Sequence, residues 1–186
     1  MKKPYNYEDC QSLFGYAEKV HKRSGGICQL CDAGKGEESN FDLWRQLTVE
    51  HIVGKSQGGY PKEIESAIDK CFPEISSYDK TKLVCRIDEA NTITACSLCN
   101  SMTSRYRSDK VCSDEKQANK LMEKLITEVK GTPEEVVKHI VGKLEEIKKK
   151  KRKSVHWKLD SIRDRYCKFI KPGLNQHPDR SKNNIA

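Results

Sequence analysis

The 186-residue sequence has no run of about eighteen apolar residues, and no apolar stretch follows its opening Met1-Lys2-Lys3-Pro4-Tyr5. A membrane-spanning helix needs the first and a secretory leader needs the second, so the chain reads as soluble and cytoplasmic, without a membrane partner. Apolar side chains are scarce in general. Hydrophobic residues make up 35% of the chain and aromatics 7%, against 33% charged residues, so the core must be modest. A core of that kind calls for a staple that a larger one would not need. The length allows one ordinary domain, or a small domain with an appendage, and excludes two large ones. No internal repeat is present.

Cysteine, by contrast, is plentiful. Nine cysteines in a reducing compartment argue against a disulfide framework, and an odd number would leave one unpaired. Metal ligation explains them better. Cys28-Gln29-Leu30-Cys31 and Cys96-Ser97-Leu98-Cys99 are two C-x-x-C pairs, and a two-residue gap lets one tight turn present both sulfurs to the same tetrahedral ion. Together they form the expected ligand set of a structural Zn2+. A redox C-x-x-C needs no second copy, and chance burial of thiols does not repeat the same gap. Cys10, Cys71, Cys85, Cys112 and Cys167 show no such pairing and read as ordinary core or surface thiols.

The net charge is +8, and its placement tells more than its size. Residues 143–171 hold twelve Lys or Arg against four Asp or Glu, so the surplus is one concentrated patch. Such a patch attracts the phosphates of nucleic acid through counterion release, without discriminating sequence. Within it Lys148, Lys149, Lys150, Lys151, Arg152 and Lys153 are candidate DNA contacts. The bland alternative is a solvated helix face.

Periodicity predicts a helix from Tyr7 to Arg23, stopped by Ser24-Gly25-Gly26, and a strand over Leu43 to Ile52 that ends at Glu50-His51. Gly54 to Pro61 must turn. Residues 60–90 read as an inserted loop or short helices with Ile64, Ala67, Ile68 and Phe72 inward. A second strand, Asn91 to Ala95, leads through Cys96 into a helix reaching about Arg107. Beyond Ser113 a helix carries Leu121, Leu125 and Val129 on one stripe. A capping box at Thr132-Pro133-Glu134-Glu135 opens another with Val136, Ile140, Leu144 and Ile147 inward. A last helix covers Val155 to Ile170, and the tail after Pro172 is polar enough to be disordered. The resulting division is a core over 1–112, a basic helical DNA-binding region over 113–171 and a tail over 172–186.

Between the cysteine pairs lies Glu50-His51-Ile52-Val53-Gly54-Lys55-Ser56-Gln57-Gly58-Gly59. Asn91 precedes the second pair and Asn100 follows it. This combination, over residues 24–107, resembles the zinc-bearing HNH, or His-Me finger, nucleases. The resemblance implies an α+β fold with a small ββα-metal core stapled by the four-cysteine zinc site. It makes His51 the general base, Asn91 the residue pinning the loop beside it, and Asn100 with Glu50 the ligands of a catalytic Mg2+ or Mn2+. The sequence departs from the family in having Glu rather than Asp before the histidine, and a much longer connection to Asn91. Arg105 is placed to neutralise the scissile phosphate, and Lys55 or Arg107 a neighbouring one.

Phosphodiester hydrolysis suits those residue types. It needs an activated water and positive charge beside the leaving oxygen, and imidazole, with a pKa of about 6.5, is the natural base near neutrality. Oxygen ligands suit a hard dication. His21, His139, His156 and His177 have no comparable setting. The expected activity is cleavage of double-stranded DNA, leaving 5'-phosphate and 3'-hydroxyl ends by family analogy, as in a restriction, defence, homing or phage nuclease. One site per chain would favour a homodimer for cutting both strands. The competing readings are a non-catalytic zinc module that binds nucleic acid, in which His51 is dispensable, and a nuclease acting on RNA or structured DNA.

Overall fold

A computed structural model of the protein describes residues 16–36, 45–104 and 120–174. It is α+β: mostly helical, with one two-stranded antiparallel sheet. Helix α1 (Tyr16–Arg23) ends where Gly25 and Gly26 both adopt left-handed backbone, which only glycine enters without strain. Strand β1 (Leu47–His51) pairs with β2 (Thr92–Cys96), Leu47 opposite Cys96 and His51 opposite Thr92. The strand predicted from Leu43 is therefore shorter, and the helix predicted from Tyr7 begins outside the described residues.

The connection between the strands, expected as an inserted loop or short helices, is a pair of helices packed on each other. Helix α2 (Pro61–Cys71) starts with proline in its first turn, where the missing N–H costs nothing. Helix α3 (Ser77–Asn91) starts at Ser76, whose hydroxyl accepts from the backbone N–H of Asp79 at 3.1 Å. Ile64, Ala67 and Ile68 pack with Leu83 and Ile87 in the main core, and Phe72 is only partly buried. Asn91 is the last residue of α3, not the first of the strand.

Helix α4 (Ser97–Ser104) follows β2 directly. Helix α5 (Leu121–Thr127) buries Leu121, Met122, Leu125 and Ile126. Helix α6 (Pro133–Arg165) opens with the predicted capping box, Thr132 and Glu135 each bonding the other's backbone N–H. It runs for 33 residues, about 50 Å at 1.5 Å per residue. Two helices were expected here, but no glycine or proline lies between Gly142 and Pro172 to part them. A π-helical turn (Tyr166–Ile170) and the short α7 (Lys171–Leu174) continue it. No helix among the described residues is long and apolar enough to cross a membrane.

Helix α6 packs on α3, α4 and α5, and its inner stripe runs Val136, Ile140, Leu144, Val155. One position on that stripe is not apolar. Lys151, seven residues after Leu144 and four before Val155, is 4% exposed.

Candidate functional site

The two cysteine pairs meet. Cys28, Cys31, Cys96 and Cys99 place their sulfurs within 4.8 Å of one another, with Cys31 Sγ and Cys96 Sγ 3.9 Å apart. Sulfurs bound tetrahedrally to zinc at about 2.3 Å lie about 3.8 Å apart, so the cluster is compatible with a structural zinc ion. The first pair is delivered by a tight turn in which Asp32 N–H donates to the Cys28 carbonyl and Cys28 N–H to that of Ala33. It docks on the free edge of β2, where Gln29 N–H donates to the Thr94 carbonyl at 2.9 Å and Thr94 N–H to Gln29 Oε1 at 3.1 Å. The second pair spans the junction of β2 and α4.

Four crowded thiols cannot all ionise without a cation. Hydrogen bonds from Cys96 and Cys99 hold Cys28 far below the usual thiol range. Burial pushes Cys31 up to about 11, and the bonds to Cys28 and Cys96 push Cys99 far up. A bound dication removes this conflict by stabilising every thiolate at once.

His51, the last residue of β1, lines an open cavity of about 720 Å³ together with Glu50, Lys55, Asn100, Thr103 and Lys151. Tyr60 lies against the imidazole, the ring centres 4.5 Å apart. Burial lowers the His51 pKa, with the charges of Asp88 and Glu50 opposing the shift and that of Lys151 adding to it. The neutral, proton-accepting form therefore dominates at pH 7.

The loop after His51 is held by Asn91, which is fully buried. Its Oδ1 accepts from Val53 N–H at 2.8 Å, while Nδ2 donates to the carbonyls of Val53 at 3.0 Å and Gly59 at 2.9 Å. The glycine pair has a physical cause. Gly58 adopts left-handed backbone (φ 75°), and at Gly59 any Cβ would lie 1.7 Å from the Val53 carbonyl oxygen.

Glu50 and Asn100 line the same cavity. Glu50 Oε1 accepts from Lys151 Nζ at 2.7 Å and from Thr103 Oγ1 at 3.0 Å. Lys151 Nζ also donates to the His51 carbonyl at 3.1 Å, and Asn100 Nδ2 donates to Thr48 Oγ1 at 2.9 Å. Among the described residues the four cysteines are the one group of three or more His, Cys, Asp or Glu side chains that could hold a metal ion, and Glu50 and Asn100, expected as ligands of Mg2+ or Mn2+, are bonded to Lys151, Thr103 and Thr48.

The basic patch also divides. Lys151 is buried against Glu50. Arg152 donates through both terminal nitrogens to the carboxylate of Asp32, which keeps that carboxyl below its usual pKa, and to the Gln29 carbonyl at 3.3 Å. Lys151 and Arg152 thus join α6 to β1 and to the first cysteine turn. Lys148 pairs with Glu145 at 2.8 Å, and Lys149, Lys150 and Lys153 are exposed. Arg105 and Arg107 lie outside the described residues.

Sequence reasoning passed over Tyr60, Asp88 and Thr103. Lys151 was placed with its neighbours on the surface, although its spacing from Leu144 and Val155 puts it on the buried stripe. His21, given no chemistry, has a structural place: its Nδ1 meets Thr94 Oγ1 at 3.0 Å beneath α1. Comparison of the chain with protein families, with curated proteins and with solved structures returned no match.

Proposed function

We propose that the protein is an HNH-type nuclease that hydrolyses phosphodiester bonds of double-stranded DNA, its core stapled by zinc on Cys28, Cys31, Cys96 and Cys99. The observation that carries this reading is the setting of His51: a largely neutral imidazole at a strand end, facing an open cavity, beside a loop pinned by the Asn91 side chain. A histidine kept only for packing needs neither an open cavity nor a rigid glycine loop next to it.

In this reading His51 takes a proton from the water that attacks phosphorus, and Tyr60 limits the swing of its ring. Lys55, which lines the cavity, holds the DNA backbone nearby. The exposed Lys149, Lys150 and Lys153 add affinity without sequence preference. Each chain carries one such histidine, so cutting both strands at one place engages two chains.

The test is cleavage of supercoiled and linear DNA by the zinc-loaded protein, with and without added divalent ions, beside His51→Ala. Cutting by the wild type and none by the folded, zinc-loaded variant supports the reading. Equal DNA binding by both proteins, with no cutting under any condition, replaces it with a non-catalytic zinc module. Preferential cutting of RNA keeps the chemistry and changes the substrate.

A further inference from the structure

We propose that Lys151, rather than a divalent metal ion, supplies the positive charge for phosphodiester hydrolysis at this site. The inference rests on the nuclease reading and deepens it.

Lys151 arrives from α6, 101 residues beyond Glu50 in sequence, and its burial is not incidental. Burying an ammonium is costly unless it is paired and hydrogen-bonded, and a helix with this much exposed face has many cheaper places for a lysine. Here Nζ is met by the Glu50 carboxylate at 2.7 Å and the His51 carbonyl at 3.1 Å, and Thr103 Oγ1 steadies the same Glu50 oxygen at 3.0 Å. Two of the three ammonium protons are committed, and Lys151 is itself part of the cavity wall beside His51. The charge therefore stands next to the base, at a fixed position, before any substrate enters.

Hydrolysis needs no more than this pair. Water oxygen bonds to phosphorus as its proton passes to the His51 imidazole. The bond from phosphorus to O3' breaks, and the leaving oxygen takes a proton from Lys151 Nζ. Lys151 is then reprotonated from solvent and His51 returns its proton there, so the net change is addition of one water across the bond. Glu50 is a positioning residue in this scheme, holding the ammonium rather than a metal.

The deciding experiment uses the zinc-loaded full chain, freed of other metals and verified to carry one zinc per chain, on supercoiled DNA. The wild type should cut at a similar rate with and without added Mg2+ or Mn2+. Lys151→Met should lower the rate roughly 100-fold or more, as loss of one transition-state donor does elsewhere. Because that variant leaves Glu50 buried and unpaired, Lys151→Arg is measured beside it and should keep a measurable part of the metal-free activity. Electron paramagnetic resonance of free Mn2+ should show no site on the wild type.

Strict dependence on added divalent ion, or Mn2+ bound by the wild type and lost in Glu50→Gln, overturns the proposal while the nuclease reading survives. Undiminished cutting by folded Lys151→Met overturns it as well. No cutting by the wild type under any condition removes both.

Discussion

The side-chain amide of Asn91 donates to the backbone carbonyl of Gly59 at 2.9 Å, joining the end of α3 to the far side of the loop that follows His51. The same amide group makes two further bonds to Val53, so a single side chain satisfies three buried backbone groups. Leaving such groups unpaired costs about 1–3 kcal/mol each. Asn91→Ala is expected to lower stability by roughly 3 kcal/mol or more, read from urea unfolding, and to abolish cleavage. Gly59→Ala should match it, since its Cβ has no space beside the Val53 carbonyl. A wild-type unfolding midpoint in either variant would refute the pinning role.

The cysteine cluster joins two segments that are otherwise held together mainly through β2 and its edge contacts. Zinc removal, or Cys28→Ser with Cys99→Ser, should therefore unfold the sheet and α4 rather than loosen them, a loss on the order of 10 kcal/mol in binding free energy. Circular dichroism before and after chelation, followed by zinc return, reads this directly. Retention of the native spectrum by a metal-free protein would show that the hydrophobic core suffices.

Much of the scaffold was legible because its signals are local. The repeated two-residue gap announces a shared ion, the Thr132 to Glu135 box announces a helix start, and the glycine pair at 58 and 59 announces a forced turn. Two features were only partly legible because they depend on distant partners. Residues 60–90 read as an inserted loop or short helices with Ile64, Ala67, Ile68 and Phe72 inward; they form two helices that bury the first three of these, and Leu83 and Ile87 from the second helix join them in the core. The Glu50 to Lys151 pair was not legible, because the sequence around Glu50 says nothing of α6. Lys151 carried a usable signal: it keeps the helical spacing of Leu144 and Val155, and a six-residue basic run hid it.

Burial sets the direction of the pH response. His51 titrates below 6.5, so cleavage should persist on the acid side of neutrality and fall only as pH drops through its lowered pKa. The charge of Asp88 opposes that lowering, so Asp88→Asn should move the acid limb of the kcat/KM profile to still lower pH. Stability has the same sign. Burial also lowers His21, and with both histidines below their ordinary value the unfolded chain binds protons first as pH falls. Stability present above pH 6.5 is lost as pH falls from there through the folded-state pKa values. Thermal melting at several pH values checks the slope, and a midpoint that rises on acidification through this window would contradict it.

The basic run makes a sharper prediction once its buried members are set aside. Each phosphate contact adds about 0.9 to the slope of log affinity against log salt, so replacing the exposed Lys149, Lys150 and Lys153 with Gln should reduce that slope by up to about 2.7. Their loss should leave folding and the zinc content unchanged, because none of the three makes an ion pair among the described residues. Arg152→Gln should behave oppositely: it releases Asp32 beside the first cysteine turn, so it should ease zinc loss to a chelator while the salt slope stays near that of the wild type. Fluorescence anisotropy with a DNA duplex across a salt series, run beside a zinc-release assay, separates the two groups. An unchanged slope in the triple variant would move the DNA-binding surface away from α6 altogether.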